Sequence, residues 1–173
     1  MLVSLLSPQR LLEFLRGYVL FDRKVGKIVA RYQQFFGIRA LLTRISQIRP
    51  DGGREGGIVW HTTGSGKSFT MVFLTKALVM VESLKECRVV VVTDRIDLEG
   101  QLSRNFMSGG AFGSAIATQK DGEKSRTLSG RDLAKRIGSG TERISFTLVH
   151  KFNTASKLPE CRNDSPNLIV LVD

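Results

Sequence analysis

Apolar positions in the first fifty residues recur at the spacing of helices. One stripe predicts a helix that begins near Pro8 with Ser7 as its N-cap, and its members are Leu11, Leu12, Leu15 and Val19. A second stripe predicts a helix from about Gln33, and its members are Phe35, Ile38, Leu42, Ile45 and Ile48. Both stripes are typical of helices that pack against a core. The proline and glycines of 49–57 then predict a loop, so we expect a helical lead-in segment, 1–50, before a second region, 51–173.

Beyond this loop, short apolar runs alternate with helical patterns. The predicted strands are 57–60, 87–94, a short one near 115–117, 143–149 and 167–173. The predicted helices cover about 66–83, 97–105 and 131–137, and 118–130 is expected to be an exposed loop. Strands that alternate with helices indicate an α/β fold with a largely parallel sheet and flanking helices.

Composition and charge are those of a folded domain with an affinity for anions. Of 173 residues, 42% are apolar and 24% are charged, which excludes a disordered chain. The net charge is +10, and residues 1–50 hold nine Lys and Arg against two acids, which leaves +7 there. Such an excess favours an anionic partner such as nucleic acid or an acidic protein face, although a solvated basic surface has the same composition.

The thiols and the N-terminus indicate a cytoplasmic protein. Cys87 and Cys161 match no metal-ligand or redox spacing, so we expect two free thiols in a reducing compartment. Arg10 and Glu13 interrupt the apolar N-terminal run, and no basic residue precedes that run, so it does not have the pattern of a signal peptide. No run reaches the roughly eighteen apolar residues of a membrane span, and no membrane association is expected.

The stretch HTTGSGKS, residues 61–68, has the pattern of a phosphate-binding loop. Gly64, Ser65 and Gly66 would form the backbone cradle, Lys67 would reach the β- and γ-phosphates, and Ser68 would hold Mg²⁺. His61 departs from the pattern, which has glycine six positions before the lysine. A predicted strand before the stretch and a predicted helix after it favour this interpretation over a flexible turn with a solvated lysine.

A second metal ligand is expected where an apolar strand ends in an acid. Asp173 follows LIVLV, and an acid at such a position holds Mg²⁺ beside the phosphate loop in many ATPases. One acid at a strand end is common, so the assignment depends on its pairing with the loop.

Four stretches together resemble a known family. GGIVWHTTGSGKSFTMVFLTKAL, VVVVTDRIDLEGQL, FTLVHKF and LIVLVD are similar to the motor segment of the R subunits (HsdR) of type I restriction enzymes, which belong to the superfamily-2 helicase-like translocases. The family has histidine at the position of His61 and usually glutamine at that of Thr63. SPQRLLEFLRGYVLFD and IVARYQQFFGIRA extend the similarity upstream, so it covers nearly the whole chain.

The resemblance implies further ligand contacts. Gln34 matches the glutamine that binds the adenine edge of ATP, beside Arg31, although an exposed helix glutamine would look the same. Thr63 joins the loop residues that bind the nucleotide. Thr93 and Arg95 match a motif on the DNA-tracking face, but Thr93 to Arg95 could equally cap a helix, with Asp94 as the N-cap. Lys151 is a further DNA contact, although Leu148 and His150 depart from the family pattern F-T-T-I-Q-K-F.

The implied protein is an ATP-driven motor that pulls double-stranded DNA, within a complex that contains methylation and specificity subunits. The resemblance implies that residues 51–173 are the front part of a first RecA-like lobe and end at Asp173. It also implies a glutamate after Asp173, a second lobe and a nuclease domain, none of which this sequence contains. We therefore expect a truncated subunit that lacks a central strand and hydrolyses little ATP by itself. Alternatives are a nucleotide-binding module without hydrolysis and a basic DNA-binding protein.

Overall fold

The computed structural model describes residues 7–22, 26–62, 64–94, 96, 103–106 and 124–173. Its first part contains helix α1 (Pro8–Gly17), strands β1 (Val19–Asp22) and β2 (Gly26–Val29), and helix α2 (Tyr32–Ile45). Helix α1 begins with Pro8 in its first turn, as predicted, but the Ser7 side chain makes no capping hydrogen bond. The two strands pair antiparallel, from Val19 opposite Val29 to Asp22 opposite Gly26. The prediction of helices alone in 1–50 was therefore incomplete.

Helix α1 packs through aromatic rings rather than through its predicted leucine stripe. Leu12 and Leu15 are 55% and 56% exposed, so the stripe prediction was wrong. Phe14 and Tyr18 instead contact Phe35 of α2, with ring centroids 5.4 Å and 4.7 Å away. The helix ends at Gly17 and the chain enters the hairpin at once, so Val19 cannot continue a helical face.

Helix α2 and the next helix, α3 (Lys67–Leu78), form one side of the core. The predicted stripe on α2 is confirmed for the buried Phe35, Ile38, Leu42 and Ile45, whereas Ile48 lies beyond the helix and is exposed. Helix α3 ends at Leu78 rather than near Ser83, because 79–86 form turns. The Lys76 ammonium donates to the Val19 carbonyl at 3.0 Å and so ties α3 to the hairpin; burial lowers the pKa of Lys76.

A parallel sheet forms the centre of the second part. Its strands are β3 (Arg88–Thr93), β4 (Ile144–Leu148) and β5 (Leu168–Val172), in the order β4-β3-β5. Strand β3 pairs parallel with both neighbours, with Val91 opposite Phe146 and Leu171. Helices α4 (Gly130–Ser139) and α5 (Val149–Ala155) and a 3₁₀ turn (Pro159–Cys161) complete the described elements.

Hydrophobic residues cover both faces of this sheet. Val89 and Val91 face the core of α2 and α3, while Val90 and Val92 face Leu133 and Ala134 of α4. Side chains of a strand alternate between the two faces, so a continuous run of valines suits a central strand covered on both sides. The predicted α/β fold with a parallel sheet and flanking helices is confirmed, and it corresponds to part of a RecA-like lobe.

Two predicted strands differ from the structure. Residues 57–60 form no strand, and Ile58 and Trp60 are 94% and 90% exposed, so the prediction of a buried strand was wrong. A strand needs a hydrogen-bonded neighbour, and among the described residues no strand pairs with 57–60 or with the free edge of β5. The predicted strand 143–149 ends at Leu148, after which α5 begins.

Several predictions fall outside the described residues. These are the strand near 115–117, most of the helix 97–105 and the first part of the loop 118–130. Of that predicted helix, residues 103–105 are described and helical.

In the ranges that the structure describes, no helix has both the length and the apolar character required to span a bilayer.

Candidate phosphate-binding site

The loop before α3 has a left-handed backbone conformation at two glycines. Gly64 and Gly66 adopt φ angles of +75° and +89°, a left-handed conformation that glycine tolerates far better than other residues. The backbone N–H and the hydroxyl of Ser65 donate to the Thr62 carbonyl, at 3.2 Å and 2.6 Å, and close the turn. Gly66 is the N-cap of α3. The loop therefore leads directly into a helix N-terminus.

Lys67 and Ser68, the predicted phosphate and metal contacts, are the first two residues of this helix. Lys67 is exposed at the first position of α3 and Ser68 is half-buried at the second. The first N–H groups of a helix have no intrahelical acceptor and carry partial positive charge, so they attract anions. A Cβ at Gly64 would meet nothing within 4 Å, so the loop has open space beside it. Thr63 lies outside the described residues.

A cavity of about 320 Å³ joins the loop to strand β5. Lys67 and Asp173 both line it, and the Asp173 backbone N–H donates to the Val92 carbonyl at 3.0 Å. The structure therefore brings the predicted phosphate lysine and the predicted metal carboxylate to one cavity. Ser68 does not line it. The remaining lining comes from the second half of α2, from the middle of α3, from the 54–61 segment and from β5.

His61 also lines this cavity. Its Nε2 atom is buried and has no hydrogen-bond partner among the described residues. A buried nitrogen without a partner loses its solvation, so this atom is open to a further polar contact.

The side chain of Gln34 is buried and fully engaged with protein atoms, at 5% exposure. Its Oε1 accepts from the Arg31 backbone N–H at 2.8 Å, which is part of a capping box at the start of α2. Its Nε2 donates to the Gly66 carbonyl at 3.0 Å and to the Thr70 hydroxyl at 3.1 Å. Gln34 is therefore not an exposed helix glutamine, since it contacts the phosphate loop directly.

Arg54 is a residue that the sequence analysis missed. Its guanidinium donates to the carbonyls of Ile45, Ser83 and Pro166 at 3.0, 3.1 and 2.7 Å. It also donates to Asn167 Oδ1 at 3.0 Å, and so joins the end of α2, the turn after α3 and the start of β5. Burial raises the pKa of the Cys87 thiol, which donates to the same Asn167 oxygen at 3.8 Å. No local motif marks such a residue, because its acceptors are far apart in the sequence.

Of the residues predicted to contact DNA, Thr93 is on the sheet and Lys151 is on a helix beside it. Thr93 is buried at the end of β3, Asp94 is exposed after it, and Arg95 lies outside the described residues. Lys151 is on α5, and its ammonium donates to the carbonyl of Thr127. The Thr127 hydroxyl donates in turn to the buried Thr147 hydroxyl at 2.8 Å. His150 is exposed on α5 rather than at a strand end.

A glycine-containing loop before a helix, a strand-end acid on the same cavity and a parallel sheet between helices are typical of α/β ATPase domains. The sequence model of the SWI2/SNF2 ATPases matches residues 33–173. The chain belongs to the SWI2/SNF2 ATPase family.

Its relatives over the whole chain are type I restriction enzyme endonuclease subunits. The HindI endonuclease subunit of Haemophilus influenzae is 37% identical over 100% of this chain, which spans 16% of that protein. The MjaIXP endonuclease subunit of Methanocaldococcus jannaschii is 31% identical over 100% of this chain, which spans 16% of that protein. A subunit from Staphylococcus aureus, SauCOLORF180P, is 28% identical over 60% of this chain and 10% of its own length. The chain thus covers about one sixth of the first two relatives.

Proposed function

We propose that this chain is the ATP-binding front part of the motor of a type I restriction endonuclease subunit, and that it binds ATP with Mg²⁺ at 61–68. The observation that carries this proposal is the loop itself. Two glycines in left-handed conformation lead into the N-terminus of α3, with Lys67 and Asp173 on one cavity. The family match and the names of the relatives support the same assignment.

Each residue of the site has a proposed role. The amides of Gly64, Ser65 and Gly66 would cradle the phosphates, together with Thr63, and Lys67 would neutralise the β- and γ-phosphates. The Ser65 N–H would have to exchange its bond to the Thr62 carbonyl for a phosphate oxygen. Ser68 and Asp173 would hold Mg²⁺, which when bound neutralises phosphate charge. Lys67 and Asp173 would be the catalytic groups, and Gln34, which contacts the loop, would bind the adenine edge. The donor set fits the nucleotide, since Lys67 and the N-terminus of α3 directly follow the loop.

The partners follow from the relatives and from the charge. We propose double-stranded DNA as the substrate of the motor, and methylation and specificity subunits as its partners in a cytoplasmic complex. The net charge of +10 suits a polyanion. Thr93, Arg95 and Lys151 remain the predicted DNA contacts; of these, Lys151 would have to exchange its bond to Thr127 for a phosphate.

The test is the nucleotide affinity of a Lys67→Ala variant. Loss of a charge-assisted phosphate contact costs about 2–3 kcal/mol, so we expect about 30- to 150-fold weaker binding of a fluorescent ATP analogue with Mg²⁺. The matched control is Lys157→Ala, the same change at an exposed lysine after α5. Equal affinities of the Lys67→Ala and Lys157→Ala variants would show that the loop is not the nucleotide site.

A further inference from the structure

We infer that Arg54 is a positioning residue that fixes the helices carrying the phosphate loop relative to the sheet carrying Asp173, an inference that rests on the proposed function. The loop leads into α3, and Asp173 directly follows β5. Lys67, Asp173 and Arg54 line the same cavity. The spacing between the proposed phosphate lysine and the proposed metal carboxylate therefore depends on how α2 and α3 lie on the sheet.

The guanidinium of Arg54 donates hydrogen bonds to both of these sides. On the helical side it donates to the carbonyl of Ile45, the last residue of α2, at 3.0 Å, and to that of Ser83, after α3, at 3.1 Å. On the sheet side it donates to the Pro166 carbonyl at 2.7 Å and to Asn167 Oδ1 at 3.0 Å, directly before β5. One planar group thus joins the two sides.

The acceptors on the sheet side are themselves held in place. The Asn167 carbonyl accepts from the Arg88 backbone N–H at 2.7 Å, and β5 then pairs with β3 from Leu168 to Val172. The apolar contacts between the helices and the sheet are not directional, so they hold the two layers together without fixing their lateral position. A guanidinium has its N–H groups in a fixed planar arrangement, so its hydrogen bonds to both layers do fix that position.

The segment that enters the phosphate loop also depends on Arg54. Residues 57–60 lie between Arg54 and the loop, and no strand pairs with them in the part of the chain that the structure describes. Strand pairing therefore does not hold this segment beside β5. Arg54 contacts the residues directly before β5 and so ties the beginning of the segment to the sheet.

Three substitutions test the contacts of Arg54. Arg54→Met removes every hydrogen bond of the side chain and keeps an unbranched chain of similar length. Arg54→Lys keeps the charge, but one ammonium nitrogen cannot reach acceptors on both sides. Asn167→Ala removes a single acceptor on the sheet side and is the milder change. The matched control is Arg49→Met, because Arg49 is in the same 49–57 loop, is 51% exposed and pairs with Asp51.

The first measurement is the distance between two spin labels in the nucleotide-free protein, by pulsed electron paramagnetic resonance. The labels are attached at two exposed residues, through Ala40→Cys on α2 and Lys135→Cys on α4, and the half-buried Cys161 is changed to serine. These helices cover opposite faces of the sheet. We expect a narrow distance distribution in the wild type and in Arg49→Met, and a broader one in both Arg54 variants.

Hydrogen–deuterium exchange of the peptide that covers 130–139 on α4 shows whether each unlabelled variant keeps its fold, and we expect the same rate in all of them. A distance distribution of wild-type width in either Arg54 variant would overturn the inference. If Arg54→Met loses its fold, Asn167→Ala takes its place in both measurements with the same direction of change, and an unchanged distribution in that variant decides against the inference.

The second measurement is the affinity for a fluorescent ATP analogue with Mg²⁺ and with EDTA in its place. The ratio of the two affinities measures the contribution of the metal, whose proposed ligands Ser68 and Asp173 lie on the two sides that Arg54 joins. We expect this ratio to fall about ten-fold in Arg54→Met, the lower end of what loss of a supporting residue costs a metal site, and to stay unchanged in Arg49→Met. An equal loss of both affinities in Arg54→Met would make Arg54 a residue of general stability and would contradict a positioning role. If the wild type binds no nucleotide in either buffer, the proposed function fails, and the spin-label distances still decide whether Arg54 fixes the helices relative to the sheet.

Discussion

Gly66 meets two constraints that any larger residue would violate. Its φ of +89° is left-handed, which costs other residues about 1–2 kcal/mol, and an added Cβ would lie 3.1 Å from Gln34 Nε2. We expect Gly66→Ala to lower the free energy of unfolding by about 1–2 kcal/mol, measured by urea denaturation. Gly56→Ala is the control, because its Cβ would meet nothing within 4 Å and its φ is not left-handed. If both variants unfold at the same urea concentration, the loop is not held in this conformation.

At the scale of single residues, the sequence predicts what depends on local chemistry. The left-handed glycines and the helix that follows them are found at 64–67, because a glycine-rich loop before an apolar helix specifies both. The partners of Gln34 and Arg54 were not predictable in this way. Their acceptors lie on other elements, at 32 to 36 positions from Gln34 and at up to 113 positions from Arg54. Only the packed structure brings such atoms together.

At the scale of elements, Arg88, the first residue of β3, links that strand to the end of α4 by hydrogen bonds. Its guanidinium donates to the carbonyls of Arg136 and Gly140 at 2.7 Å and 2.6 Å, and to that of Ile137 at 3.0 Å. These carbonyls are at a helix C-terminus. The last carbonyls of a helix have no intrahelical donor and carry partial negative charge, so a cation near them is favourable.

The corresponding prediction is that Arg88→Ala destabilises the protein by about 2 kcal/mol, since it leaves half-buried carbonyls without charge-assisted hydrogen bonds. Arg162→Ala is the matched control and should change stability by less than about 0.5 kcal/mol, because its side chain is 82% exposed and its ion pair with Asp164 is on the surface. Thermal unfolding of the two variants, with the exchange rates of the 130–139 peptide, measures the difference. Equal stability of both variants would contradict the anchoring role of Arg88.

Among the elements, the sequence predicts best where one pattern is strong. The strands β3 and β5 lie inside the predicted 87–94 and 167–173, because long β-branched runs suit a sheet covered on both faces. The hairpin β1–β2 was missed, since no two-residue turn signal marks it, and α5 was missed because Val149 continues the apolar run of β4. The segment 57–60 is apolar enough for a strand. A strand forms only where a second strand pairs with it, and the partner strand is distant in the sequence.

At the scale of the whole molecule, the alternation of elements was sufficient to predict the class of fold. The order of apolar runs and helical patterns along the chain predicts three features of the fold. These are a valine strand between two others, helices on both faces of the sheet and a loop before α3. The open edge of β5 and the cavity beside it depend on which strands are adjacent. A sheet without a central strand is expected only from the family resemblance, because hydrophobic periodicity does not give strand order.

The distribution of charge leads to a prediction about DNA. Residues 1–50 carry a net +7 of the total +10, so a duplex should bind mainly through its phosphates, whatever its sequence. Each neutralised phosphate contributes about 0.9 to the slope of log K against log salt concentration, and four to seven contacts would give a slope of about −4 to −6. Fluorescence anisotropy of two duplexes of unrelated sequence, titrated at several salt concentrations, measures this slope. The two duplexes should give the same slope and similar affinities. An affinity that does not change with salt, or that strongly favours one duplex, would contradict phosphate-based binding.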